Sequence, residues 1–274
     1  MVQADRLHGT NASNRVVCII DSGLALGHED LPSESLTGEG QWTSDTVGHG
    51  THVAGIIAAL DNADTGIVGV SETATLRLHV VKVVGAPGEW VFASTLAAAA
   101  HKCRDAGAHV INMSRGTALG GPDRSRTEAD AFEALLEEGV LLVAAAGNSG
   151  RDGPGKMFPA GYASVVSVGA VNETGGVAHF SQRNEDVELA GPGVAIESTV
   201  PMGTGPAISA LTVDGIEVAA VWSLHPECSA RELRSSLAKA SLDLGDVDRD
   251  SSYGFGLVQA AETDARIANL GCGA

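Results

Sequence analysis

Gly48-His49-Gly50-Thr51-His52-Val53-Ala54-Gly55 decides how this chain is read. His49 stands between two glycines at the head of an apolar stretch carrying Val53, Ile56 and Ile57. An imidazole so placed can serve as a general base. Upstream, the run Val16-Val17-Cys18-Ile19-Ile20 ends in Asp21-Ser22-Gly23. A continuous apolar run marks a parallel strand buried on both faces. The carboxyl edge of such a strand is where α/β sheets place catalytic groups. Asp21 there can hold one ring nitrogen of His49, and acid before base is one chain order of a charge-relay system. Taken singly, these residues have plainer uses. Asp-Ser-Gly forms turns, a histidine between glycines can cap a helix, and His52 reads as a buried structural residue.

The chain has 274 residues, 44% of them hydrophobic and 19% charged, enough for a large core and against disorder. With 35 glycines and only 4% aromatics, close helix-on-sheet packing is expected. Seventeen basic against 34 acidic residues give a net charge of −17. That argues against nucleic acid and against an anionic membrane as partners, since phosphates are bound by clustered Lys and Arg. No run approaches the ~20 apolar residues of a membrane-spanning helix. No signal peptide opens the chain, and Met1-Val2-Gln3-Ala4-Asp5 reads like the interior of a longer precursor.

Strand and helix alternate along the sequence. Strands are expected at 76–84, 109–113, 140–146, 165–171 and 187–190. Ser94 is expected to cap a helix that stops at Gly107, and a second helix covers 129–138 before Gly139. Ser229-Ala230-Arg231-Glu232 has capping-box spacing, and a last helix is expected over 257–268. The pattern predicts an α/β fold, a doubly wound and mostly parallel sheet with helices on both faces, in one domain spanning 1–274. Only the Gly-rich stretch 201–215 breaks the alternation.

Over nearly its whole length the chain resembles the subtilisin family of serine endopeptidases, the subtilases. The resemblance rests on residues 16–23 with His28-Glu29-Asp30-Leu31, and on 48–55, 110–116, 143–149, 191–201 and Tyr253-Gly254-Phe255-Gly256-Leu257-Val258. It implies a three-layer sandwich that hydrolyses peptide bonds in extended protein or peptide substrates, as a secreted monomer needing no cofactor for catalysis. Asp21 would orient His49, and Asn148 would supply the oxyanion-hole amide, although alone it could equally be a turn or capping residue. Ser114, Arg115, Gly116, Ala145 and Gly147 would line the first specificity pocket, with residues 85–90 pairing with an extended peptide. Arg115 departs from the family, which has an apolar residue there; it either reaches acidic substrate groups or stays solvated. Asp30, with Asp61 and Asn62 in a loop of unusual length, would hold a structural calcium. Cys18, Cys103, Cys228 and Cys272 lack zinc-site spacing. The likeness to secreted enzymes favours disulfides over buried thiols and leaves the pairing open.

The serine is the exception. The family motif Gly-Thr-Ser-Met-Ala-x-Pro opens a long buried helix, but here the sequence is Gly205-Pro206-Ala207-Ile208-Ser209-Ala210-Leu211-Thr212-Val213-Asp214-Gly215. An ungapped alignment puts Ala207 at the nucleophile. Against it, residues 211–218 alternate around Asp-Gly like a hairpin, and Ala219-Ala220-Val221-Trp222-Ser223-Leu224-His225-Pro226 resembles the last turns of the helix. A deletion or truncated insertion within 201–220 is therefore the expectation, with Ser209 the nearest substitute hydroxyl. Loss of the serine costs about 2 × 10⁶ in turnover in subtilisin. The chain is thus expected to be a weak or inactive endopeptidase, or else a non-catalytic regulatory binder of extended peptides. A substrate-trapping substitution fits only the Ala207 alignment.

Overall fold

The computed structural model describes residues 1–7, 15–62, 66–70, 76–85, 91–114, 117–118, 125–150, 155–202 and 216–274. In chain order the elements are β1 (Arg15–Asp21), β2 (Leu36–Glu39), α1 (His49–Ala58), β3 (Leu76–Lys82), α2 (Ala93–Asp105), β4 (Val110–Met113), β5 (Thr117–Ala118) and α3 (Arg126–Glu137). There follow β6 (Leu141–Ala145), β7 (Met157–Phe158), β8 (Val165–Val171), β9 (Leu189–Pro192), α4 (Ile216–Leu224), α5 (Ala230–Ala240) and α6 (Ala260–Leu270).

Seven strands form one sheet in the order β2-β3-β1-β4-β6-β8-β9, and every neighbouring pair is parallel. The apolar runs are buried on both sides as read, with all seven residues of β1 and of β8 inside. The chain winds outward from β1 through β3 in one direction and through β4 in the other. Such a switch point opens a crevice at the carboxyl ends of the strands, and Asp21 is the last residue of β1.

Side-chain alternation along β1 shows what covers each face. Cys18 is bonded to Cys103 of α2. Arg15 and Asp21, of opposite parity, turn to the other face. There Arg15 lies 4.9 Å from the Trp222 ring of α4, and Asp21 meets His49 of α1. Helices thus flank both faces, the expected doubly wound arrangement. A second disulfide, Cys228–Cys272, ties the entry of α5 to the chain's end.

Several boundaries differ from the sequence reading for visible reasons. Helix α2 begins at Ala93 with Phe92 at its cap and no side-chain cap, so Ser94 lies inside the first turn. Helix α3 starts earlier because Ser125 caps it, accepting the Glu128 N–H at 3.2 Å. Helix α6 starts later because Leu257 pairs with Leu242 and Val258 N–H donates to Ala190. Ile216-Glu217-Val218, read as the second half of a hairpin, is helical and belongs to α4; residues 211–215 lie outside the described residues. The capping box of Ser229 and Glu232 is present as read.

Candidate active site

The sheet register assembles the site. Ile20 pairs with Met113, and Met113 with Ala144. The next residues, Asp21, Ser114 and Ala145, therefore stand side by side at the carboxyl ends of β1, β4 and β6.

Asp21 is fully buried. Its Oδ2 lies 2.7 Å from His49 Nδ1, and its Oδ1 accepts the Ser22 N–H at 2.6 Å. An ionised carboxylate only accepts, so Nδ1 carries the proton and Nε2 is the basic nitrogen. The two glycines around His49 have separate causes. Gly48 has φ +85°, a backbone region open to glycine. A Cβ on Gly50 would lie 2.1 Å from the Gly23 carbonyl, so only glycine lets the first turn of α1 approach the end of β1.

His52 is the buried structural histidine expected, with no exposure. Its Nε2 faces the Ile196 carbonyl at 3.1 Å. Burial pushes its pKa down, the bond to Ile196 opposes this, and nearby His49 lowers it further. Ser198 and Thr199 donate to the carbonyls of His52 and Thr51 at 2.6 and 2.8 Å, fastening the strand-following segment onto α1.

On the other side of the crevice, Ser114 Oγ accepts from Asn112 Nδ2 at 2.7 Å. Asn148 is exposed in the loop after β6. Gly147 has φ +116°, and a Cβ there would sit 2.5 Å from Met157 Cγ. Met157 therefore packs against a residue expected to line the specificity pocket, a contact the sequence did not reveal. Gly85 accepts from Thr46 Oγ1 at 3.1 Å. Arg115, Gly116, Ala207, Ser209 and residues 86–90 lie outside the described residues.

Asp30 is 1% exposed, yet its oxygens meet nitrogen donors: Asn62 Nδ2 at 3.2 Å on Oδ1 and the Ile67 N–H at 3.0 Å on Oδ2. These bonds anchor the loop on Asp30. Among the described residues, the one grouping of three candidate ligands is Glu227 with Cys228 and Cys272, whose sulfurs are spent on a disulfide.

Asp45 is a residue that sequence reasoning missed. It lies buried between the end of β1 and the start of α1. The described part of helix α4 runs Ile216–Leu224. Its serine, Ser223, is turned to the Ala220 carbonyl at 2.7 Å.

Comparison with known proteins agrees with this geometry. The model of the Subtilase family (peptidase S8) matches residues 12–256. Subtilisin DY of Bacillus licheniformis is 35% identical over 270 residues, covering 94% of each chain. Subtilisin BL of Lederbergia lenta is 36% identical over 269 residues, again covering 94% of each. The crystal structure of the psychrophilic subtilisin-like protease Apa1 from Pseudoalteromonas sp. AS-11 superposes with a TM-score of 0.86 at 26% identity, covering 98% of this chain and 97% of that one. With the family match spanning most of its length and subtilisins aligning with nearly all of it, this chain belongs to the subtilase family of serine proteases.

Proposed function

We propose that this protein is a subtilase that keeps the acid, the base and the substrate crevice of an endopeptidase but lacks its serine. It takes protein or peptide segments in extended form and cleaves them weakly or not at all. The observation that carries this reading is a contrast within one site. Asp21 and His49 are joined at 2.7 Å, whereas residues 203–219 contain no Gly-Thr-Ser-Met-Ala sequence.

In this reading Asp21 fixes the tautomer and direction of His49. His49 Nε2 then takes a proton from any nucleophile that reaches it. Asn148 donates to the oxygen on which negative charge develops, a contribution of about 3–4 kcal/mol where such a donor is well aimed. Ser114, Arg115, Gly116, Ala145 and Gly147 receive the side chain before the cleaved bond. Without a serine Oγ no covalent acyl intermediate forms, and catalysis falls to the ~10³–10⁴ over water that a site without its triad retains. A deletion or truncated insertion within 201–220 of the single domain 1–274 accounts for the loss. The non-catalytic peptide binder is the limit of the same reading at zero turnover.

The protein works as a monomer in an oxidising, extracellular setting. Support comes from its four cysteines, all paired in disulfides, and from its bacterial subtilisin relatives. No helix among the described residues is long and apolar enough to cross a membrane.

The test is calorimetric titration with an unstructured peptide, with mass spectrometry of the same mixture. Binding with little or no cleavage is expected. Cleavage at the pace of an intact subtilisin would overturn the proposal.

A further inference from the structure

The backbone on either side of His49 is tied down by one acidic residue outside the acid–base pair. Asp45 is 8% exposed, and five donors converge on its carboxylate. Oδ1 accepts Ser22 Oγ at 2.9 Å, the Val47 N–H at 3.1 Å and the Gly48 N–H at 2.8 Å. Oδ2 accepts the Thr51 N–H at 2.9 Å and Thr51 Oγ1 at 2.6 Å. Ser22 Oγ in turn accepts the Gly50 N–H at 3.0 Å. The N–H groups of residues 47, 48, 50 and 51 thus all end on Asp45 or Ser22.

This solves a local problem. The first turn of a helix has N–H groups without intrahelical partners, and Gly48 has no side chain to cap them. Asp45 does so from outside the helix, and its charge complements the positive end of the helix dipole. The same network reaches the acid. Ser22 donates its N–H to Asp21 Oδ1 and its hydroxyl to Asp45 Oδ1. One residue therefore fixes both the carboxylate at the end of β1 and the backbone that carries the imidazole. Low exposure and full hydrogen bonding leave little slack in such a network.

Resting on the reading of Asp21 and His49 as an acid–base pair, we propose that Asp45 is a positioning residue. It holds the His49 ring against Asp21 through Ser22 and the first turn of α1. It touches neither substrate nor the reacting atoms.

The test uses the full chain labelled with ¹⁵N-histidine and follows the downfield Nδ1–H proton of His49 by NMR. Wild type is expected to show this signal, and Asp21→Asn to lose it. Asp45→Asn keeps the size but turns an amide N–H₂ toward two or three donors. It is expected to lose the His49 signal to exchange while the His52 ring signals, held by Ile196, remain. Ser22→Ala removes two links only and is expected to speed exchange of the same proton. Ser198→Ala cuts a different bond to α1 and is expected to change nothing at His49. Should Asp45→Asn fail to fold, Ser22→Ala decides. An unchanged His49 signal and exchange rate in folded Asp45→Asn or Ser22→Ala would overturn the positioning role. Absence of an Asp21-dependent signal in wild type would instead overturn the pair itself, and the positioning role with it.

Discussion

Helices α1 and α4 lean on the same face of β1 but are secured by different forces. The start of α1 is held by polar bonds: Asp45, Ser22 and Asp21 engage its first turn and its histidine. Helix α4 is held by packing. Its Val221 and Trp222 are 0% and 3% exposed, and Arg15 and His109 lie against the Trp222 ring. In a subtilase the two helix starts would together present base and nucleophile. Here the start of α1 is built in full detail, and the described part of α4 runs from Ile216 to Leu224. On the proposed reading, the architecture of a catalytic half-site persists without its partner because it is also the cap of a core helix.

The sharpest way to break this contrast is Trp222→Ala. It should cost about 3–5 kcal/mol by leaving a cavity and an Arg15 guanidinium without its ring. At temperatures where the variant is folded, the His49–Asp21 signal should persist. Loss of that signal with the fold intact would mean that α4 supports the pair after all.

Next comes the Cys18–Cys103 bridge, which ties β1 to α2 on the opposite face. Replacing both with alanine should lower stability by about 2–5 kcal/mol in denaturant titration. The bridge closes a sequence separation of 85 against 44 for Cys228–Cys272. Chain entropy then makes it the stronger by about 0.6 kcal/mol. Equal losses would argue that native packing, not loop closure, sets the value.

A smaller effect separates a capped helix from an uncapped one. Ser229→Ala removes the capping box of α5 and should cost about 1 kcal/mol. Ser94→Ala, inside the first turn of α2, should stay within about 0.5 kcal/mol. Chemical denaturation of the two variants checks the pair, and a larger loss for Ser94→Ala would reverse the assignment.

Acid should affect both helices alike. Burial lowers the pKa of His52 in α1 and of His109 beside α4, and His79 on β3 behaves the same way. The unfolded chain binds protons near pH ~6.5 that these buried rings refuse. Stability should therefore fall as pH drops below about 6.5, seen as a declining denaturation midpoint. A midpoint that held or rose over that range would contradict the sign.

Much of this was legible in the sequence because it depends on side chains alone. The apolar runs of β1 and β8 required burial on both faces, and the Gly-His-Gly triplet with its upstream Asp21 named the pair. What was hidden depends on backbone. Asp45 binds mostly main-chain N–H groups, which no residue pattern displays, although an Asp three residues before a bare Gly48 is a capping signal in hindsight. The partners of Cys18 and Cys228 follow from which face of β1 meets α2 and where the chain ends. Asp30 suggested a cation by its residue type, and the backbone N–H of Ile67 facing it was not visible in the sequence. Residues 216–218 alternate like a strand yet are helical, because tertiary burial outweighs a short local pattern.

On the proposed reading, a complete acid–base pair stands without a hydroxyl to use it. The most direct test treats the folded protein with excess fluorophosphonate and weighs the intact chain by mass spectrometry. No stoichiometric adduct is expected, with or without a His49→Ala substitution. One adduct per chain on Ser209 or any other serine, abolished by His49→Ala, would show a working nucleophile and contradict the account.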